Sequence, residues 1–200
     1  MQHQIYIERD ATIYEKYQYR NTGIDQILEL VKTTSGSVLD DLFQVGTYNS
    51  RILLDFAGTQ FTSLSQSIHN GEIGSTGRKF YLNLKHIYST DLPIDYTLYA
   101  YPVSESWNNG NGNYADIPET RNGVSWRYKD SYDSATVWNT GSAHSNGQGG
   151  AENALGGGTW ITGSGYEASQ SFNYESPDVR MDITDIVNKW LNGTISNYGL

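Results

Sequence analysis

The apolar residues near the end of the chain recur with the spacing of a helix. A helix over about residues 183–191 places five of them on one stripe: Ile183, Ile186, Val187, Trp190 and Leu191. Asp182 or Thr184 can cap its first amides, and Gly193 suits a left-handed helix end. Because a helix this short is marginal in water, its stripe must be buried against a sheet formed by the preceding residues.

Those preceding residues alternate between apolar and polar or form short continuous apolar runs, as strands do. The pattern predicts strands at residues 4–8, 50–57, 80–88 and 94–103, and residues 11–14 either continue the first strand or begin another. The run at residues 50–57 is nearly continuous, which is typical of a central strand, whereas Pro102 indicates an edge or a strand end. Residues 24–32 fit a helix or a strand equally well by pattern alone.

Residues 104–165 are dominated by glycine, asparagine and serine. Short strands interrupt this stretch at residues 124–128, 135–138 and 159–161. Stretches of this composition often serve as linkers, but aromatic residues punctuate this one. We therefore expect ordered loops along one side of a sandwich.

Composition and charge narrow the class of protein. Two hundred residues with 37% hydrophobic content predict one domain over residues 1–200, and 16 tyrosines and 21 glycines favour strands joined by turns. The chain has no cysteine, which rules out disulfides. A net charge of -9 argues against binding to the phosphates of nucleic acids.

The pattern predicts neither export nor membrane insertion. The first ten residues lack an apolar core and a cleavage site, so no secretory signal is predicted. No run approaches the roughly 20 apolar residues that a membrane helix needs. We therefore expect the chain to be synthesised and assembled in the cytoplasm and not to be secreted.

Four groups of residues follow one another in the order and spacing of a known family signature. They are residues 10–13 with 21–23 (Asn-Thr-Gly) and 28–30 (Leu-Glu-Leu), residues 51–56 (Arg-Ile-Leu-Leu-Asp-Phe), residues 107–112 (Trp-Asn-Asn-Gly-Asn-Gly) with 123–126 (Gly-Val-Ser-Trp), and residues 182–193 with 197–199 (Asn-Tyr-Gly). In this order they cover nearly the whole chain, which thereby resembles the DNRLRE family of β-sandwich domains. Asn108 departs from the pattern, since the family often has Glu there.

The resemblance implies an all-β fold, a jelly-roll-like β-sandwich with the one short helix packed on it, and a strand at residues 24–32. It assigns Trp107, Trp126 and Trp190 to the core, together with the helix stripe of Ile183, Ile186 and Val187. The family runs on into a closing strand beyond the position of Leu200. We therefore expect this chain to be the N-terminal part of a longer one, or to have its sheet completed by another chain.

Members of the family occur in bacterial surface proteins, polysaccharide-handling enzymes and phage virions. Together with the missing export signal, the resemblance implies a non-enzymatic structural module of a phage virion, located in a fibre, baseplate, neck or capsid-surface appendage. Its expected partners are other virion proteins and further copies of itself. The alternative is a carbohydrate-binding adhesion module that recognises a host-surface glycan.

Aromatic side chains are the candidate contacts under both hypotheses. Trp138 and Trp160 lie in or beside the glycine-rich loops, and Tyr114, Tyr128 and Tyr132 could line the same surface. A flat ring can stack on the apolar face of a sugar while polar neighbours bind its hydroxyls. The preferred interpretation is that these rings hold the loops on the sandwich or are buried against a neighbouring subunit.

Candidate catalytic and metal-binding groups are sparse. The four histidines stand in no catalytic motif, and the paired carboxylates have the spacings of turns and helix caps, so an enzyme is not predicted. Asp116, Asp130 and Asp133, with the asparagines of residues 108–113, could supply oxygen ligands to calcium. Because this stretch lacks the charge density and terminal Glu of an EF-hand, plain turns are preferred and no cofactor is predicted.

Overall fold

The computed structural model describes residues 3–35, 46–74, 76–87, 95–139, 156–173 and 178–200. These residues form seven strands and two short helices, and their strands close no barrel. In chain order the elements are β1 (Ile7–Tyr14), β2 (Lys32–Ser35), β3 (Gly46–Phe56), α1 (Gly58–His69), β4 (Tyr81–Leu84), β5 (Tyr96–Ala100), β6 (Ala168–Phe172), β7 (Val179–Asp182) and α2 (Thr184–Leu191). The fold is therefore β-rich.

The strands pair in antiparallel sheets of the order β1-β3-β2, β4-β7 and β5-β6. β3 has 11 residues and lies between β1 and β2, which confirms the prediction of a central strand at residues 50–57. Residues 4–8 and 11–14 contribute to the single strand β1. The strands predicted at residues 80–88 and 94–103 are present but shorter, as β4 and β5.

Both faces of the β1–β3 pair are covered by apolar side chains. Successive residues of a strand point to opposite faces, so Leu53 and Leu54 enter different clusters. We call the one on the Leu53 side the tryptophan cluster; its buried members are Ala11, Ile13, Leu53, Val103, Trp107, Val124, Trp126 and Trp138. We call the other the helix cluster; its members include Leu54, Phe56, Leu82, Met181, Ile183, Ile186, Val187, Trp190 and Leu200.

Helix α2 confirms the helix predicted over residues 183–191. The carboxylate of Asp182 accepts a hydrogen bond from the amide of Thr184 at 3.0 Å, and Gly193 adopts a φ of 72° just beyond the helix end. Four residues of the predicted stripe are buried and the fifth, Leu191, is half-buried; the ring of Trp190 packs 6.0 Å from that of Phe56. Apolar periodicity alone therefore located this element and its buried face.

The prediction of a single helix is wrong, because α1 follows β3 directly. Phe61, Leu64 and Ile68 have helical spacing, but the intervening residues are mostly serine, threonine and glutamine. Of these apolar residues only Leu64 is buried, so the apolar face of α1 is narrow. The ring of Phe61 lies 5.6 Å from that of Trp190, edge to face, and this contact joins the two helices.

The strand expected at residues 24–32 is also wrong, apart from Lys32 at its end. Side-chain hydroxyls take the place of a strand ladder here. The amide of Glu29 donates to Thr12 Oγ1 at 3.0 Å, and the amide of Val31 donates to Ser50 Oγ at 2.7 Å. With a backbone bond from the amide of Ser50 to the carbonyl of Val31 at 2.8 Å, they satisfy this part of the backbone without a regular ladder.

The short strands predicted in the loop region form no ladders. Residues 124–128 and 135–138 share one isolated bridge, between Tyr128 and Val137, and residues 159–161 contribute a second, between Trp160 and Val103. Conversely, the pattern predicts no strand at β6 or β7. The sequence of β6 alternates only weakly, since serine and glutamine separate its buried ends.

The last residues of the chain join the two clusters. Leu200 exchanges two backbone hydrogen bonds with Leu54, at 2.9 Å and 2.8 Å, and the carbonyl of Gly199 accepts from the amide of Val103 at 2.9 Å. The indole of Trp107 donates to the carbonyl of Tyr198 at 3.0 Å. Residues 198–200 therefore connect β3 to the segment that follows β5.

The carboxylate of Glu105 connects loops around the tryptophan cluster by hydrogen bonds. Glu105 accepts hydrogen bonds from Thr159 Oγ1 at 2.6 Å, from the amide of Asn139 at 2.9 Å and from the ammonium group of Lys129. Partial burial raises the pKa of Glu105, but these donors more than offset it and hold the pKa below its ordinary value of 4.5.

This shift predicts an acid-sensitive contribution to stability. A carboxyl whose pKa is lowered in the folded state stabilises the fold above its unfolded pKa, and the contribution is lost as pH falls through the folded pKa. We expect Glu105→Gln to lower the free energy of unfolding at neutral pH by about 1–2 kcal/mol. Urea titrations measure the difference in free energy of unfolding between variant and wild type, and this difference should become smaller below about pH 4.5. A difference that does not change with pH would contradict a stabilising role of the charged Glu105 carboxylate.

Candidate functional site

A buried asparagine positions three loops at one end of the β1–β3 pair. The side-chain amide of Asn21 donates to the carbonyls of Asn109 and Val124, at 2.6 Å and 2.8 Å. Its carbonyl oxygen accepts from the amides of Gly112 and Gly23, at 2.7 Å and 3.3 Å. Asn21 is fully buried, so these bonds fix the loops relative to one another.

The three loops and the adjoining turns carry a cluster of tyrosines and arginines. We call this cluster the tyrosine–arginine surface; it consists of Tyr17, Tyr19, Arg20, Tyr114, Glu119, Arg121, Tyr128 and Tyr132. Tyr114 and Tyr132 are 38% and 40% exposed, and the other tyrosines are half-buried. The surface is therefore accessible but built of side chains that pack on one another.

One half of the surface is organised by Arg20. Its guanidinium lies 4.9 Å from the ring centre of Tyr17 and 5.0 Å from that of Tyr114, and it donates to the carbonyl of Tyr114. The two rings meet edge to face at 5.7 Å and 82°. Tyr14, buried on β1, packs against Tyr114 from below at 5.2 Å.

The other half is organised in the same way by Arg121. Its guanidinium lies 4.9 Å from the ring centre of Tyr132 and 5.5 Å from that of Tyr19. Tyr132 contacts Tyr19 and Tyr128 edge to face, each at 5.5 Å. Each arginine thus covers one face of two tyrosine rings.

Glu119 links the two halves. Its carboxylate lies 2.7 Å from the guanidinium of Arg121 and 3.8 Å from that of Arg20. The hydrogen bond to Glu119 raises the pKa of Arg121 further above its ordinary value. Two cations therefore share one carboxylate, and the carboxylate of Asp25 adds negative charge beside them by accepting from the amide of Tyr114 at 3.0 Å.

Three of the five aromatic residues singled out from sequence belong to this surface: Tyr114, Tyr128 and Tyr132. Sequence reasoning missed their partners: Tyr17, Tyr19 and Arg20, which lie about a hundred residues earlier, and Arg121, which lies between Tyr114 and Tyr128 in the sequence. A signal was present in the run of tyrosines and basic residues at 14–20, which follows a strand directly.

Trp138 is buried, so it is not a surface contact for a glycan or a partner, and it agrees instead with the preferred interpretation that such a ring holds its loop on the core. Its ring is fully buried in the tryptophan cluster, and its indole donates to the carbonyl of Ser125 at 3.1 Å. A buried ring offers no face to a sugar or to a partner. Trp138 therefore pins the loop before residue 139 onto the core.

Trp160 lies apart from the tyrosine–arginine surface and packs on Arg51. The Arg51 guanidinium sits between the rings of Trp126 and Trp160, at 4.7 Å and 4.6 Å, and donates to the carbonyl of Gly157. Burial lowers the pKa of Arg51 to about 10, so the side chain remains charged at neutral pH. Trp160 is half-buried, and Tyr101 packs on it with ring centres 6.2 Å apart.

The residues assigned to the core from sequence are buried in the structure. Trp107 and Trp126 lie in the tryptophan cluster. Ile183, Ile186, Val187 and Trp190 lie in the helix cluster. Trp107 is further held by the guanidinium of Arg9, which lies 5.4 Å from its ring centre and donates to its carbonyl.

The three aspartates considered as calcium ligands have separate surroundings, and only Asp116 closes a turn. Asp116 accepts from the amide of Asn113 at 2.9 Å and from Thr120 Oγ1 at 2.5 Å; the first of these bonds contributes most to lowering the pKa of Asp116. Asp130 accepts from the side chain of Asn108 at 3.0 Å, and Asp133 is exposed. Across the described ranges, no three His, Asp or Glu side chains converge as metal ligands.

The histidines in the described part of the chain, His3, His69 and His86, are exposed; His144 lies outside it. Among the described residues no helix is both long enough and apolar enough to cross a bilayer.

Comparison with known proteins returned no match: no family model, no curated protein and no solved structure corresponds to this chain. The resemblance to the DNRLRE family therefore stays a prediction that rests on the motifs themselves.

Proposed function

We propose that this protein is a non-enzymatic assembly module that binds another protein through the tyrosine–arginine surface. Its proposed setting is a phage virion, in a fibre, baseplate, neck or capsid-surface appendage. The partner is a further copy of the chain or another virion protein.

The observation that carries the proposal is the mutual packing of tyrosines and arginines at an accessible surface. Tyr and Arg are enriched where protein interfaces derive most of their binding energy. Here Arg20 and Arg121 stack on rings and share Glu119, so the side chains are already held in place. Little side-chain entropy remains to be lost when a partner docks.

The fold proposed for the module is a jelly-roll-like sandwich of the DNRLRE type. In support, the sequence motifs behind the resemblance meet in space. Asn21 bonds Gly112, Arg51 stacks on Trp126, and the side chain of Asn197 donates to the carbonyl of Phe56 at 3.4 Å. In the helix cluster, residues of β3 pack against residues of β4, β5, β6 and β7, as the inner faces of a sandwich do.

The assembly proposal predicts a loss of association when the surface is truncated. We expect the Arg121→Ala and Tyr132→Ala variants to weaken self-association, or binding to particle proteins, at least tenfold, because each removes a ring–guanidinium contact at an interface. Sedimentation velocity over a concentration series measures the first, and cross-linking within purified particles measures the second.

The matched control is Tyr81→Ala. Tyr81 is 38% exposed and also carries an arginine on its ring, Arg180 at 4.1 Å, but it lies on β4. This variant should assemble as the wild type does. A wild-type chain that stays monomeric and is absent from particles by mass spectrometry would overturn the proposal, as would variants of Arg121 and Tyr132 that assemble normally.

Recognition of a host-surface glycan is the second candidate function. The tyrosine–arginine surface favours it less, because its rings stand edge to face and the guanidinium groups cover some of the faces that a sugar would need. A different set of rings, on β5, favours it more.

A further inference from the structure

A second row of aromatic rings lies on the outward face of β5. Alternation along the strand directs Leu98 and Ala100 toward the helix cluster, so Tyr99 and Tyr101 point the other way. Trp160 extends the row, since its backbone pairs with Val103 just beyond the strand. Tyr99 is 57% exposed, and Tyr101 and Trp160 are half-buried.

The rings of this row lie closer to parallel than those of the tyrosine–arginine surface. Tyr99 and Tyr101 are inclined by 15° with centres 6.3 Å apart, and Tyr101 and Trp160 by 36° with centres 6.2 Å apart. Aligned rings can contact successive units of an extended ligand, whereas edge-to-face rings present a mixture of edges and faces.

Two polar contacts hold the row in place. The hydroxyl of Tyr101 donates to the carboxylate of Glu167 at 2.5 Å, and Arg51 supports Trp160 from inside the fold. Burial and this hydrogen bond raise the pKa of Tyr101 to about 12, so its hydroxyl remains a donor at neutral pH. The inner rings are therefore set before any ligand arrives.

Hydroxyl groups flank the rings on the neighbouring strand. Ser169 on β6 lies directly opposite Tyr99 in the ladder, and Thr97 Oγ1 lies 3.1 Å from Ser171 Oγ. Both serines and Glu167 are exposed. The face thus combines apolar ring surface with small donors and acceptors, the two kinds of group that a sugar needs.

We propose that this face of β5 and β6 binds a neutral glycan, with its sugar rings packed on Tyr99 and Tyr101 and its hydroxyls bonded to Ser169 and Glu167. The inference deepens the second candidate function and does not depend on the tyrosine–arginine surface. The charge near these rings favours a neutral ligand. Glu167 flanks the rings, Arg51 lies beneath Trp160, and the net charge of the chain is -9. An anionic glycan would be repelled.

Affinity electrophoresis in native gels tests the proposal. The gels contain a neutral polysaccharide, glucomannan, xyloglucan or dextran, or the anionic polysaccharide alginate. We expect the wild-type protein to be retarded by at least one neutral polymer and not by alginate. Tyr99→Ala should weaken the interaction about tenfold through loss of a ring contact, whereas Tyr99→Phe, which keeps the ring, should retain it.

The controls separate this site from the assembly surface. Tyr81→Ala removes an exposed tyrosine elsewhere and should be retarded as the wild type is, whereas Tyr132→Ala alters the tyrosine–arginine surface and tests that surface as the alternative location of the glycan. Loss of retardation in Tyr132→Ala but not in Tyr99→Ala would place a glycan on the other surface and overturn the inference. The inference would also be overturned if no neutral polymer retarded the wild-type protein while circular dichroism showed that the protein is folded.

Discussion

Replacing Asn21 by alanine is expected to lower the free energy of unfolding by about 4 kcal/mol, because buried hydrogen-bonding groups that lose their partner each cost roughly 1–3 kcal/mol. Four such groups lose their partner together: the carbonyls of Asn109 and Val124 and the amides of Gly23 and Gly112. Urea or thermal unfolding followed by tryptophan fluorescence measures the loss.

Asn122→Ala is the matched control. Asn122 lies on one of the same loops, but its side chain is exposed and makes a single hydrogen bond, to Asn111 at 3.3 Å. We expect its replacement to change stability by less than about 0.5 kcal/mol. Equal effects for Asn21 and Asn122 would show that the buried amide does not hold the loops together. The Asn21 variant should also assemble poorly, since those loops carry the tyrosine–arginine surface.

Replacing Gly199 by alanine is expected to lower the free energy of unfolding by about 3–5 kcal/mol through a left-handed backbone and a steric overlap. Gly199 has a φ of 87°, and an added Cβ would fall on the backbone of Leu54 and Asp55. Relief of the overlap requires that the chain end move away from β3. That movement breaks the paired hydrogen bonds between Leu200 and Leu54 and exposes Leu200.

Gly158→Ala separates the two causes. Gly158 has nearly the same φ, 85°, but an added Cβ would have nothing within 4 Å. Its replacement should therefore show the backbone cost alone, about 1–2 kcal/mol. Chemical denaturation of both variants provides the comparison. If Gly199→Ala were no more destabilising than Gly158→Ala, residues 198–200 would not be part of the cooperative fold.

The parts of the fold that sequence predicted share one property: their signal is local. The stripe of α2 and the apolar run of β3 are complete within about ten residues, so each could be recognised alone. The segment at residues 24–32 shows the limit of that reasoning. Its pattern allowed a strand, but the hydroxyls of Thr12 and Ser50, distant in sequence, satisfy its backbone in another way.

The candidate sites likewise contain residues that the sequence could identify and residues that it could not. Tyr114, Tyr128 and Tyr132 could be named because tyrosines in polar loops tend to be exposed. Nothing near them in sequence indicates that Arg20 and Tyr19 complete the cluster. Trp138 and Trp160 stand in similar loop sequences, yet one is fully buried and the other half-buried on Arg51. Burial depends on which loop folds over which ring, and composition does not contain that information.

Sequence by itself determined the class of elements, the buried stripe of α2, the central strand and the acidic charge, because each follows from composition or from periodicity along a short segment. Only the tertiary structure decided that Asn21 is the centre of three loops, that two arginines share Glu119, and that the chain end closes on Leu54. The physical reason is distance along the chain. Contacts between residues a hundred positions apart leave no periodic trace in one sequence, and they are set by how the sheets pack.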